Sequence, residues 1–126
     1  MKQTLPVKNQ MNGVFIHVTN LRASAEWYGN LLGLDIQLDQ VSSPVYNLPV
    51  VGSTSLTLDD HTFDPHFIHT PSSNPIFNFY APDIDEAYSY IKQHNIIVTR
   101  EIERVEETAW FNIQDPDGNV MMICNC

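Results

Sequence analysis

The chain has 126 residues, 43% of them apolar: enough to bury a core without disulfide staples, and too many for wholesale disorder. Six Lys and Arg stand against 15 Asp and Glu, and a formal charge of −9 disfavours nucleic acid and anionic membranes as partners. No apolar run reaches the roughly 18 residues of a membrane-crossing helix, and Met1-Lys-Gln-Thr-Leu-Pro6 lacks the apolar stretch of a secretory leader.

In chain order, Gly13 to Thr19 reads as a strand, and Asn20 is a helix N-cap. Leu21, Ala25, Tyr28 and Leu32 recur at helical spacing, and Gly33 sits where a left-handed C-cap belongs. Leu34, Ile36 and Leu38 then alternate, which predicts a strand over 34–39, followed by strands over 45–51 and 54–59. Residues 60–75, rich in Asp, His, Pro and Ser, read as a loop.

The pattern then repeats. Ile76 to Ala81 predicts a strand, Asp83 an N-cap with Glu86 three residues on, and Ile84, Ala87, Tyr88 and Ile91 the apolar stripe of a helix. Strands are expected over 96–102, 108–114 and 119–124, the last two joined by the turn Asp115-Pro-Asp-Gly-Asn119. Superposing Asn20 on Asp83 aligns both strands and both helices. The expectation is an α+β fold, one domain of two βαβββ modules over about 11–60 and 75–124, with a cupped, mostly antiparallel sheet and helices outside.

Strand alternation assigns faces. Val14, Ile16 and Val18 should pack on the first helix, and Phe77, Phe79, Ala81, Phe111, Ile113, Met121 and Ile123 belong to the core. The concave side then carries Gly13, Phe15 and His17, Ile76, Asn78 and Tyr80, Trp110, Asn112 and Gln114, and Met122. Thr57 joins them, because Leu56 and Leu58 should face the helix. These side chains offer an aromatic and apolar lining with a few polar groups, as a small-molecule pocket needs. We take Phe15, His17, Thr57, Asn78, Tyr80, Trp110, Asn112 and Met122 as the candidate ligand-binding residues.

His17 has no expected Asp or Glu beside it on that face, so it reads as a binding or structural histidine rather than a catalytic one. His61, His66 and His69, with Asp59, Asp60 and Asp64, read as a solvated acidic loop or a lid, although their spacing admits a metal. Trp27 and Tyr28 read as core. Asp115, Asp117 and Asn119 lack the rest of a calcium loop and read as a hairpin turn. Cys124 and Cys126, separated by one residue, read as free thiols, which argues for a reducing, cytoplasmic setting.

Val18-Thr-Asn20-Leu-Arg-Ala-Ser24-Ala-Glu-Trp27-Tyr28 with Leu31-Leu-Gly-Leu34, Ala81-Pro-Asp83-Ile-Asp-Glu-Ala87, and Asp115-Pro-Asp-Gly-Asn119 together resemble the vicinal oxygen chelate superfamily of glyoxalases, bleomycin resistance proteins and extradiol dioxygenases. The resemblance implies a metal held by ligands at four cup positions. These fall here on Gly13, Thr57, Ile76 and Met122, none of which supplies an imidazole or a carboxylate. The expectation is therefore no metal or other cofactor. The chain should be a homodimeric binding protein for an aromatic or amphipathic compound, similar in mode to bleomycin resistance proteins. The alternative is a lactoylglutathione lyase-like isomerase or a dioxygenase.

Overall fold

Asn20 and Asp83 each stand three residues beyond the end of a strand and cap the helix that follows, and the fold is organised around these two points. A computed structural model describes residues 5–126; of the Met1–Pro6 segment read for a leader, the first four residues lie outside it. The order is β1 (Gly13–His17), α1 (Leu21–Leu32), a 3-10 turn (Leu38–Gln40), β2 (Val45–Leu48), β3 (Ser55–Asp59), β4 (Asn78–Tyr80), α2 (Ile84–Gln93), β5 (Ile97–Val105), β6 (Thr108–Gln114) and β7 (Val120–Cys124). Among the described residues no helix is long and apolar enough to cross a membrane.

The Asn20 side chain accepts a hydrogen bond from the Ala23 N–H, and the Asp83 side chain accepts one from the Glu86 N–H, each satisfying a donor that the first helical turn leaves unpaired. Gly33 closes α1 in the left-handed conformation at φ 67°. The strands form two sheets, ordered β1-β3-β2 and β4-β7-β6-β5. In each, the strand before the helix runs parallel to the last strand of its module, and the other pairs are antiparallel.

The α+β fold is the expected one, with one strand missing. Leu34, Ile36 and Leu38 do alternate, but 34–37 joins no ladder and 38–40 is the 3-10 turn. Ile36 packs so closely on α1 that a Cβ placed on Gly29 would lie 2.7 Å from its Cγ1. Its apolar side chains are satisfied by the helix, and its backbone never reaches an edge to pair with.

One core runs through both modules. Ile16, Val18, Leu21, Ala25, Tyr28, Leu56 and Leu58 meet Ile84, Ile91, Phe111, Ile113, Met121 and Ile123 in a single buried cluster. Trp27 is half-buried at its margin, edge-on to fully buried Tyr28, so only Tyr28 is core in the full sense.

The β6–β7 turn does more than reverse the chain. The buried Tyr28 hydroxyl donates to Asp115 Oδ2 at 2.6 Å; burial and the adjacent carboxylate raise its pKa far above the ordinary phenol value, so it remains a donor. Asp115 also accepts from the Asp117 and Asn119 N–H groups and from Asn119 Nδ2. Asn119 Nδ2 donates to the His17 carbonyl, and the Thr19 hydroxyl donates to Asp117 Oδ1. The turn thus clasps the second module to the β1–α1 junction of the first.

Cys124 and Cys126 are joined by a disulfide, which corrects the reading of free thiols. The chain folds back after β7, so the Cys126 N–H reaches the Cys124 sulfur and the Cα atoms lie 5.3 Å apart, well within bridging range. The argument for a reducing compartment, built on free thiols, loses its ground.

Candidate functional site

Ladder register places the candidate residues in rows on the sheet faces turned away from the helices. On the first sheet, His17 lies opposite Asp59, and Asp59 opposite Val45; Phe15 lies opposite Thr57, and Thr57 opposite Asn47. On the second, Asn78, Met122 and Asn112 form one row across β4, β7 and β6, and Tyr80, Cys124 and Trp110 form the next. The alternate residues Ile16, Leu58, Phe111, Met121 and Ile123 are buried on the helix side.

Several of these side chains are open to solvent despite their chemistry. Phe15 is 52% exposed, Tyr80 69% and Ile76 80%. Asn112 is buried, and among the described residues its Oδ1 has no hydrogen-bond partner. Thr57 is buried, and its hydroxyl donates to Asn47 Oδ1 at 2.5 Å.

The candidates do not share one cavity within the chain. Phe15 and His17 line a cavity of about 150 Å³ with Ile76, Phe77 and Asn119. Asn78 and Tyr80 line another of about 550 Å³ against Val14, Leu34 and Leu56. Asn112 lies in a third of about 490 Å³, where residues 71–74 pass over Thr99, Arg100 and Gln114. The single lining expected from alternation is divided because β1 and β4 are both outer strands of separate sheets.

The first sheet also holds a polar cluster. His17 does have an acidic neighbour, contrary to expectation. Asp59 is its register partner, and parallel pairing turns both side chains to one face. After β3 the backbone at His61 takes a left-handed turn at φ 58°, and its N–H donates to Asp59 Oδ1 at 2.9 Å. The turn brings His61 Nε2 to 2.6 Å from His17 Nδ1 and to 3.8 Å from Asp59 Oδ2. The His61 ring stacks on Phe67, with centroids 3.5 Å apart. Burial, together with the His61 imidazole, holds the His17 pKa below its ordinary value, while Asp59 pulls it the other way.

The three loop histidines therefore separate. His61 joins His17, His69 Nε2 meets the Asp117 carbonyl at 3.2 Å, and His66 stays exposed. A usable signal lay in the alternation of β3, since a strand that puts Thr57 on the cup face puts Asp59 there too. The register between β1 and β3, which sets Asp59 against His17, is a tertiary fact.

The four positions that the resemblance marks for metal offer a poor fit. Gly13 has no side chain, and a Cβ there would meet Ser55 Oγ at 2.5 Å. Thr57 Oγ1 is engaged with Asn47, Ile76 is exposed, and Met122 is a thioether between two asparagine positions. Hard and borderline divalent ions find neither imidazole nor carboxylate there.

Residues 10–123 match the model of the Glyoxalase/Bleomycin resistance protein/Dioxygenase superfamily. Among solved structures, a member of that superfamily from Sphaerobacter thermophilus DSM 20745 is 19% identical with a TM-score of 0.72, covering 93% of this chain and 97% of its own. A lactoylglutathione lyase from Agrobacterium tumefaciens is 22% identical with a TM-score of 0.67, covering 93% of each chain. Oxidase ChaP-H1 is 20% identical with a TM-score of 0.69, covering 94% of this chain and 97% of its own. At such identities the likeness concerns the fold. No curated protein matches the sequence.

Proposed function

From a chain that belongs to the Glyoxalase/Bleomycin resistance protein/Dioxygenase superfamily, we propose a binding protein that holds a planar aromatic or amphipathic small molecule on its concave sheet faces, without metal at the superfamily's four positions. The observation that carries this reading is the row chemistry of the second sheet. Tyr80, Trp110 and Met122 offer apolar and π surface, while Asn78 and the partnerless Asn112 Oδ1 beside them offer direction. A buried acceptor left unpaired costs about 1–3 kcal/mol, which a ligand donor would recover.

The chain acts as one domain of two modules, and as a homodimer. Among the described residues its outer strands β1 and β4 have unpaired edges, and exposed Phe15, Ile76 and Tyr80 stand on or beside them. A second copy laid along these edges would gather the divided cavities into one cup. The ligand is sequestered or sensed rather than converted. What counts against a lyase or dioxygenase of the superfamily's usual kind is the Gly13, Thr57, Ile76 and Met122 set.

Planar apolar compounds should quench tryptophan fluorescence through Trp110. Trp110→Leu should abolish the response and weaken binding by about 1–3 kcal/mol. A Trp110→Leu protein that keeps the full response would overturn the reading. A monomer by light scattering at micromolar concentration would overturn the assembly.

A further inference from the structure

We propose that His17, Asp59 and His61 form a site for one divalent transition-metal ion at the carboxyl end of β1 and β3, apart from the superfamily's four positions. Gly13 lies four residues back along β1 and Thr57 two residues back along β3, so neither shares the cluster. Three chain positions, two of them in paired strands and one in a turn, bring one imidazole or carboxylate donor atom each to within 4.8 Å of one another.

Three observations point to a cation. Asp59 is only 4% exposed, and among the described residues no Lys or Arg lies within ion-pair distance of it; its one ion-pair neighbour is His61. A buried carboxylate without a positive partner is costly. His17 Nδ1 and His61 Nε2 face each other at 2.6 Å, an approach that calls for a proton or a cation between them. Two imidazole nitrogens on one tetrahedral ion sit about 3.3 Å apart, so a shift of under about 1 Å opens the seat. The 3.8 Å from His61 Nε2 to Asp59 Oδ2 already allows for an ion.

The surroundings have the form of a supporting shell. The His61 N–H holds Asp59 Oδ1 and leaves Oδ2 for the ion, and Phe67 stacks over the His61 ring on the side of the loop. Two imidazoles and one carboxylate suit Zn²⁺, Co²⁺ or Fe²⁺ better than Mg²⁺ or Ca²⁺. Three protein donors leave a coordination position open, and His17 also borders the 150 Å³ cavity with Phe15 and Ile76. This site departs from the metal-free expectation, which weighed the four superfamily positions and set His61 aside as a solvated loop residue. It does not rest on the proposed ligand pocket.

The test is titration of the tag-free, chelator-stripped full chain with Co²⁺, followed by visible absorption and calorimetry. One equivalent should bind, with the d–d bands of a low-coordinate nitrogen–oxygen site. Asp59→Asn and His61→Ala should each weaken binding at least about 100-fold, while His66→Ala should bind as the parent does. Asp59→Asn keeps the side-chain shape and covers the case in which His61→Ala fails to fold. The proposal is overturned if the parent takes up no Co²⁺, if uptake survives both Asp59→Asn and His61→Ala, if His66→Ala lowers it equally, or if thiolate charge-transfer bands put the ion on the cysteines.

Discussion

The ends of the two modules make the same turn and fill it with different chemistry. When Asn20 is superposed on Asp83, His17 falls on Tyr80, and their register partners are Asp59 and Cys124. Two residues beyond each partner the chain folds back. The His61 N–H donates to the Asp59 carboxylate, and the Cys126 N–H donates to the Cys124 sulfur. The first module closes its turn with a carboxylate and two imidazoles, and the second with a disulfide. One backbone device therefore yields an ionisable cluster on one side and a covalent staple on the other. The difference lies in which side chains stand at the last strand residue, two beyond it and across the ladder: Asp59, His61 and His17 in the first module, Cys124, Cys126 and Tyr80 in the second.

The largest effect should come from the clasp that couples the two ends. Asp115→Ala removes the acceptor of four hydrogen bonds, including the one from buried Tyr28, and should lower stability by about 3–4 kcal/mol in urea unfolding. If the modules were independent, the variant would instead show the parent's midpoint or two separate transitions. A smaller loss should follow Trp27→Ala. Its counterpart on α2 is Tyr90, whose hydroxyl donates to the Asn30 carbonyl of α1, and both residues line the small cleft where the helices meet. Half-buried Trp27 should cost about 2–3 kcal/mol; a loss well above about 4 kcal/mol would make it full core and break the likeness to Tyr90. The smallest effect should be that of Cys126→Ser. A loop this short restrains the unfolded chain little, so the loss should stay below about 2 kcal/mol. A larger loss would mean that the second turn bears on the core.

The elements most legible in the sequence were those whose signals are local. Asn20 and Asp83 sit at their caps as their side chains dictate, Gly33 at its cap because it has none, and alternation put Ile16, Phe111 and Met121 inward. Leu34, Ile36 and Leu38 misled because alternation records which side chains are apolar, and a strand also needs a neighbouring edge to pair with. The His17 cluster was missed for a tertiary reason: it depends on parallel register between β1 and β3, across some forty intervening residues, and on a left-handed turn at His61. The disulfide was missed because spacing alone does not show that the chain reverses after Cys124.

The clasp at residues 115–119 also has a kinetic meaning. Tyr28 waits for Asp115, 87 positions later, and Thr19 for Asp117, 98 positions later. During synthesis β1, α1, β2 and β3 are all made before the group that ties down their first junction exists. The first module must therefore leave the ribosome with the Tyr28 hydroxyl and the Thr19 hydroxyl and N–H still unpaired by protein, and it completes itself only when the last hairpin arrives. Contacts of such long range slow folding. The β6–β7 hairpin, which carries Asp115 and Asp117, is the piece that ties down the β1–α1 junction.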